Sequence, residues 1–256
     1  WDIWVIKIDS EGNEEWNKMF GGEGQHYGYS VQQTIEGGYI VLGTGYSIDN
    51  NLLDIWLIKI DSQGNEEWIK KHSGENGNHM WGYSVQETSD EGYIITGSYN
   101  GDVLLLKTDY NGVEEWKNLY DGDNNFEDFG NSVYQTEDGG YIISGQTSVE
   151  INQDYHVWLI KTNSQGEIVW DMVLDRGSSY TGVSKSVQQT NDGGYIVTGR
   201  TRSFGDPLYP RLYLIKVDPQ GNITSTIELP TPSSKRELVK TTNILGQENT
   251  TIKNQP

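Results

Sequence analysis

The chain has 256 residues and a formal net charge of −19, with 31 glycines, 16 tyrosines and 9 tryptophans but no cysteine. The lack of cysteine excludes disulfides, thiolate catalysis and cysteine-based metal sites, while the acidic charge repels phosphate backbones and argues against a nucleic-acid partner. No apolar run approaches the roughly 18 residues that a bilayer requires, so no membrane span is expected.

A lysine-centred word recurs along the chain at intervals of 52, 48, 54 and 55 residues. Its lysines are Lys7, Lys59, Lys107, Lys161 and Lys216. Words of the types GNEEW, SVQQT and GGYIVTG lie between them, separated by turns rich in Gly, Asn and Asp. Each word is typical of one short strand, and no stretch has a helical period. A repeat of about 50 residues with four strands predicts an all-β fold, a β-propeller of four-stranded antiparallel blades.

In chain order, the repeat predicts an incomplete propeller over residues 1–229. Residues 1–20 give a half-blade, and four whole blades begin at Tyr29, Tyr83, Asn131 and Lys185. The strands of a blade are labelled A (SVQQT), B (GGYIVTG), C (the lysine word) and D (the Trp of GNEEW). Because the half-blade lacks strands A and B, we expect the chain to be N-terminally truncated, with one or more blades lost before Trp1.

Residues that recur in every unit are expected to be structural. The stem of each repeated lysine should pack while its head meets a carboxylate. The repeated tryptophans of strand D should fill the core between blades. They are Trp16, Trp68, Trp116 and Trp170. The last polar residue of strand A is interpreted as solvated channel lining rather than as a ligand group. This residue is Gln33 in the first whole blade, followed by Glu87, Gln135 and Gln189 in the next three.

Loop lengths predict where function lies. The A–B and C–D turns have constant lengths and share one face of the ring, whereas the D–A and B–C connections vary and share the other. We expect any binding site on this variable face. All four histidines lie outside the repeated words, and His156 is assigned to a B–C loop.

An aromatic residue and a glycine precede strand A in three units. The aromatics are Tyr27, Trp81 and Phe129, and Thr181-Gly182 is the expected counterpart in the fourth unit, next to Tyr180. Around a ring opening, such side chains would stack on sugar rings. The alternative is a plug that packs over the D–A crossing. The ligand-binding candidates are these aromatics, including Tyr180, together with His79 in a D–A loop.

The stretch DGDNNFED sets three oxygen-bearing side chains at alternating positions, Asp121, Asp123 and Asn125, as calcium loops do. Phe126 stands where an EF-hand needs glycine, so the choice lies between a calcium site of another type and a solvated acidic loop. The histidines show no HExxH-type spacing. Apart from this calcium site, no cofactor is expected.

The D..GN..W unit resembles the tryptophan-docking repeat of quinoprotein-type propellers. The whole block, from the lysine word to GGYIVTG, is similar to repeat proteins common among secreted proteins of Bacteroidota. The resemblance does not imply the quinone cofactor. Quinoprotein enzymes hold the quinone with charged and metal-binding side chains, and no such set is visible in this sequence. The turn also differs in spacing from the Ser-x-Asp boxes of sialidase-type propellers.

The tail, residues 230–256, forms a second region that opens in a Pro- and Ser-rich linker. The stretch KRELVKTTNILGQE resembles the opening of the C-terminal sorting signal of type IX secretion. The usual continuation of that signal is missing, so we expect a truncated signal. The alternative is an ordinary polar tail. The matching residues are Lys235, Arg236, Leu238, Val239, Lys240, Asn243, Ile244, Leu245, Gly246, Gln247 and Glu248. The resemblance implies the type IX machinery as a partner and a secreted or outer-surface location.

Two functions follow as hypotheses. The first is a secreted or cell-surface propeller without catalysis that binds or scaffolds a glycan or protein on its variable face. The second is a polysaccharide-active enzyme, a hydrolase or lyase, whose catalytic residues lie in missing blades. A shallow aromatic surface favours the binder, and a pair of carboxylates at the channel favours the enzyme.

Overall fold

The computed structural model of the chain describes residues 1–47, 51–122, 127–148, 155–174, 182–201 and 211–228. These residues form β-strands and turns, and they include no helix that could cross a membrane. Outside them lie Asp123, Asn125, Tyr180 and residues 229–256, which contain the whole expected sorting signal.

The described strands form one two-stranded and four four-stranded antiparallel sheets, which confirms the predicted half-blade and four whole blades. The half-blade holds β1 (Ile3–Ile8) and β2 (Glu14–Phe20). Blade 1 holds β3 (His26–Gln33), β4 (Tyr39–Ser47), β5 (Leu52–Ile60) and β6 (Glu66–His72). Blade 2 holds β7 (Met80–Glu87), β8 (Tyr93–Tyr99), β9 (Asp102–Thr108) and β10 (Glu114–Tyr120). Blade 3 holds β11 (Phe129–Gln135), β12 (Tyr141–Ser148), β13 (Tyr155–Thr162) and β14 (Ile168–Val173). Blade 4 holds β15 (Gly182–Gln189), β16 (Tyr195–Thr201), β17 (Arg211–Val217) and β18 (Ile223–Glu228).

Strand A begins two or three residues earlier than the sequence predicts, because a β-bulge lets the strand continue through the residues before the repeated serine. The register shifts between Gly28 and Ser30, and at the same place in the other blades. In blade 4 this register places Val183 and Ser184 at the positions of the aromatic–glycine pair. The prediction that Thr181-Gly182 is the counterpart of that pair is therefore wrong.

Successive blades pack face to face along their C strands. Ile55 and Leu57 of β5 share one buried cluster with Leu104 and Leu106 of β9, and all four side chains are completely buried. Equivalent clusters join each neighbouring pair of sheets. This arrangement explains why the C strands are apolar on both alternating faces.

Each repeated tryptophan packs on the C–D turn of the following blade. A Cβ added at Gly64 would lie 2.9 Å from the Trp16 ring, and one added at Gly112 would lie 2.7 Å from the Trp68 ring. Trp116 on Gly166 and Trp170 on Gly221 repeat the contact. The tryptophans therefore join blade to blade, as expected, although their rings stay half-buried.

The repeated lysines hold carboxylates, also as expected. The Lys107 side chain is 4% exposed, and its Nζ lies 3.0 Å from Asp90 and 3.2 Å from Glu115. Asp90 comes from the A–B turn and Glu115 from strand D, so Lys107 ties the turn of its blade to the outer strand. Lys59 makes the same double contact with Glu36 and Glu67.

Strand A lies at the inner edge of each blade and bonds directly to its neighbours. The Glu87 backbone N–H donates to Gln32 Oε1 at 2.7 Å across the junction of blades 1 and 2. The last polar residue of strand A bonds to the A–B turn of the preceding blade, and Gln135 Oε1 accepts from the Ser89 N–H at 2.8 Å. Glu87 and Gln189 make the same contact. These three side chains therefore connect blades, a role that the interpretation as solvated channel lining does not include, whereas Gln33 at the same position in blade 1 is exposed.

The described blades form an open arc with two uncovered ends. Trp4 of the half-blade is 62% exposed, whereas Trp56, at the same repeat position in blade 1, is 6% exposed. Leu212 of blade 4 is 52% exposed, whereas its counterpart Val157 is 2% exposed.

Candidate functional site

The largest departure from the repeat is a short hairpin in blade 2. From the strand B glycine to the lysine is 10 residues here (Gly97 to Lys107) and 16 in blades 1 and 3. The connection is the two-residue turn Asn100-Gly101, whose φ angles of 57° and 92° suit a type I′ hairpin. Because the neighbouring loops are longer, this turn leaves a hollow on the variable face.

The hollow is a cavity of about 590 Å³, named here the hairpin cavity, and it lies between blades 2 and 3. Its rim carries three half-buried aromatic rings, Trp81, Phe129 and Tyr155. His79 and the carboxylates of Asp102 and Asp121 complete the chemically distinctive lining. The volume lies within the range of about 300–1,000 Å³ that is usual for small-molecule sites.

The aromatic rings are fixed by contacts among themselves. Trp81 lies nearly parallel to Tyr83 with centroids 6.4 Å apart, and Tyr83 lies 6.4 Å from Phe129. Phe129 lies edge-on to Tyr155 at 6.0 Å. The rings thus pack on one another, as the plug alternative requires, and still line the cavity.

Two acidic side chains lie at the cavity, Asp102 and Asp121. Burial raises the pKa of the Asp102 carboxyl, and the negative charge of Asp121 raises it further. A third carboxylate, Glu127, accepts a hydrogen bond from the Tyr155 hydroxyl at 3.5 Å. Of the expected calcium ligands only Asp121 is described, and the described residues hold no cluster of three or more metal-ligating side chains.

Buried Asp128 holds the walls of the cavity together. Its side chain accepts hydrogen bonds from the Gly122 N–H at 2.7 Å and the Ser148 N–H at 3.3 Å, and its own N–H donates to Gly101 O at 2.6 Å. Burial raises the pKa of this carboxyl. Asp128 therefore joins a D–A loop, strand β12 and the short hairpin. The sequence signal for this role is that Asp128 occupies the repeat position at which blades 1 and 2 have His26 and Met80.

His79 joins the cavity to blade 1. Its Nδ1 accepts a hydrogen bond from the Leu53 N–H at 3.0 Å. An imidazole that accepts at Nδ1 carries its proton on Nε2 when neutral, which leaves Nε2–H as a donor.

Other predicted positions lie elsewhere. Tyr27 is 40% exposed and donates to Gln25 Oε1 at 2.7 Å, and it does not line the hairpin cavity. His26 is buried with its ring 4.4 Å from that of Trp56, and burial lowers its pKa. The assignment of His156 to a loop is wrong, because this residue lies within β13 and is 2% exposed.

No family model and no curated protein match the sequence. Among solved structures, a protein of unknown function from Bacteroides caccae is similar at 11% identity and a TM-score of 0.49, over 89% of this chain and 90% of that one. A putative exo-β-1,3-galactanase from Bifidobacterium bifidum is similar at 12% identity and a TM-score of 0.48, over 83% and 72% of the two chains. A glycoside hydrolase of family 43 from Bacillus licheniformis gives 15% identity and a TM-score of 0.47, over 83% of this chain and 61% of that one. The function therefore has to be inferred from this chain's own residues.

Proposed function

We propose that this chain binds a glycan in the hairpin cavity without cleaving it. The observation that carries the proposal is the set of three half-buried rings, Trp81, Phe129 and Tyr155, around a cavity that also holds carboxylates. A sugar presents an apolar C–H face and a rim of hydroxyl groups, and this lining offers a partner for each.

The aromatic rings would supply most of the binding energy. Apolar surface left in water costs about 25 cal/mol per Å² relative to burial, so a sugar face that covers these rings is favoured. The rings are already held by their neighbours at 6.0–6.4 Å, so little side-chain freedom is lost on binding.

The polar groups would set orientation. Ionised carboxylates accept hydrogen bonds from hydroxyl donors, and bonds to a charged acceptor are stronger than neutral ones. Asp102 and Asp121 offer such acceptors, and neutral His79 offers a donor. A protein partner suits the site less well, because a stable protein interface buries about 800 Å² on each side and is seldom this concave.

The direct experiment measures binding of soluble neutral and acidic polysaccharides by calorimetry. The wild-type chain should bind at least one, and Trp81→Ala should weaken that binding about tenfold or more. Trp4→Ala is the matched control, since Trp4 is an exposed tryptophan outside the cavity. No binding to any polysaccharide, or equal affinities in both variants, would refute the proposal.

Hydrolysis is a second candidate because of one observation, the raised pKa of Asp102 beside Asp121. Glycoside cleavage uses two carboxyl groups at one site, and the direction of this shift favours Asp102 for the role of the acid. Release of reducing ends that is lost in Asp102→Asn, with binding retained, would establish this activity. Binding without any release would exclude it for that glycan.

We also propose an extracellular location, which the similarity of residues 235–248 to a type IX sorting signal supports. The full chain, expressed behind a signal peptide in a bacterium with type IX secretion, should reach the cell surface or medium. Deletion of 235–248 should retain it in the periplasm. Equal export of both chains would contradict the proposal.

A further inference from the structure

The β-bulge of strand A places one residue of each blade at the inner edge of the arc. The bulged residues lie between the register-shifted pairs, and they are Tyr29, Tyr83, Asn131 and Lys185. They stand next to the nearly constant SVQQT words and yet differ in chemistry from blade to blade. Bulges commonly redirect a side chain toward a site, so this position is a place where the repeat can vary without loss of the sheet.

All four bulged residues line a second cavity of about 500 Å³, named here the inner cavity. Phe129 and Tyr155 line both this cavity and the hairpin cavity, so the two are adjacent. A ligand longer than one sugar unit that occupies the hairpin cavity would continue over these two rings into the inner cavity.

The two cavities have opposite charge. Asp102, Asp121 and Glu127 line the hairpin cavity, whereas among the described residues the lining of the inner cavity includes no Asp or Glu and two cations, Lys185 and Arg200. In a chain with 37 acidic and 18 basic residues, a cationic cavity is an exception.

These two cations also differ from the repeat lysines and Lys117 in having no acidic partner among the described residues. The five repeat lysines and Lys117 all pair with carboxylates. Lys185 and Arg200 are exposed, and neither lies within ion-pair distance of a carboxylate in the described part of the chain. Their charge is therefore free to bind an anion.

We propose that the inner cavity makes the chain selective for acidic glycans, with Lys185 and Arg200 holding a carboxylate or sulfate group of the sugar. This inference rests on the proposed glycan binding. Tyr29 and Tyr83 also line the inner cavity, and both phenols are protonated at neutral pH, since burial raises the pKa of Tyr29 and raises that of Tyr83 to about 12. Their hydroxyl groups are thus additional donors to an anion.

The test compares matched pairs of polysaccharides in calorimetry with the full chain. Dextran sulfate is paired with dextran, and polygalacturonate with its methyl ester, so that the members of each pair share a sugar backbone and differ in charge. The wild-type chain should prefer at least one acidic member by tenfold or more, and the preference should shrink in 1 M salt, where the Debye length falls to about 3 Å. Preference for polygalacturonate identifies carboxylate as the ligand group, and preference for dextran sulfate identifies sulfate.

Variants assign the preference to the two cations. Lys185→Gln and Arg200→Gln should each lower affinity for the acidic member about tenfold, as expected for a charged hydrogen bond, and so reduce its preference over the neutral member. Lys18→Gln removes the same charge from the distant strand β2 and should change neither affinity.

The outcomes separate the two proposals. Equal binding of acidic and neutral members, or an acidic preference that survives in both variants, would overturn the acidic selectivity and leave glycan binding intact. No binding to any polysaccharide would overturn both.

Discussion

Trp68 of blade 1 packs directly on Gly112 of blade 2, so closely that a Cβ added to the glycine would lie 2.7 Å from the indole ring. The contact recurs at each junction of described sheets, so the repeated glycine and the repeated tryptophan both have a structural role. The glycine has two roles, because its φ of 72° also belongs to the left-handed region.

Gly112→Ala should therefore destabilise the protein more than an alanine placed at an equally twisted but open turn. Gly139 is that control, with a φ of 79° and no atom within 4 Å of its Cβ position. We expect Gly139→Ala to cost about 1–2 kcal/mol from backbone strain, and Gly112→Ala about 1–3 kcal/mol more from overpacking. Urea unfolding measures both, and equal losses would show that the tryptophan contact is unimportant.

The open end of the arc gives a second matched pair, Trp56→Ala and Trp4→Ala. Trp56 is 6% exposed, so its truncation should cost about 3–5 kcal/mol. Trp4 occupies the same repeat position but is 62% exposed, so its truncation should cost less than about 1 kcal/mol. Thermal and urea unfolding of the two variants check this. A large loss in Trp4→Ala would mean that the end is covered in solution.

The C–D turns make stability fall in acid. Asp61 Oδ1 accepts from the N–H groups of Gln63 and Asn65, and the Asn65 side chain, which donates to Oδ2, is the main cause that lowers the pKa of Asp61. Since the folded pKa lies below the unfolded value of about 4, this contribution is present above pH 4 and is lost as pH falls through the folded pKa. Blade 3 has Asn163 at this position and so lacks the titration.

Asp61→Asn should accordingly flatten the loss of stability as the pH falls below about 4. Glu11→Gln is the control, because the Glu11 side chain is exposed and makes no hydrogen bond to the described residues. Measuring the free energy of unfolding of both variants at a series of pH values tests this prediction. An unchanged acid slope in Asp61→Asn would show that this turn does not contribute to it.

Asp128→Ala should both destabilise the protein and impair binding, because it removes the buried carboxylate that accepts from the N–H groups of Gly122 and Ser148. We expect a loss of about 1–3 kcal/mol in unfolding free energy, together with weaker glycan binding as the walls of the hairpin cavity separate. Full affinity in a folded Asp128→Ala protein would remove Asp128 from the account of the site.

The sequence predicts the blades well because their determinants are local and repeated. Alternating apolar residues specify the strands, and glycine turns such as that at Gly112 specify their connections. The same regularity makes exceptions visible in the sequence, which predicts site roles for His79, Trp81, Phe129 and Asp121, and all four line the hairpin cavity.

Other site residues could not be predicted, because their roles arise where separate blades meet. Asp102 follows the short hairpin and Tyr155 begins β13, and only blade packing brings both to the same cavity. Lys185 lines the inner cavity because of a β-bulge in strand A, and the position of this bulge depends on the strand register, which the sequence SVQQT does not indicate.

The central claim, a glycan held over Phe129, is tested most directly by calorimetric titration of one bound polysaccharide into Phe129→Ala and Tyr27→Ala. The two residues occupy the same repeat position, but Phe129 lines both cavities and Tyr27 neither. The account predicts a loss of affinity of at least about tenfold for Phe129→Ala and none for Tyr27→Ala. Unchanged affinity in a folded Phe129→Ala protein would contradict it.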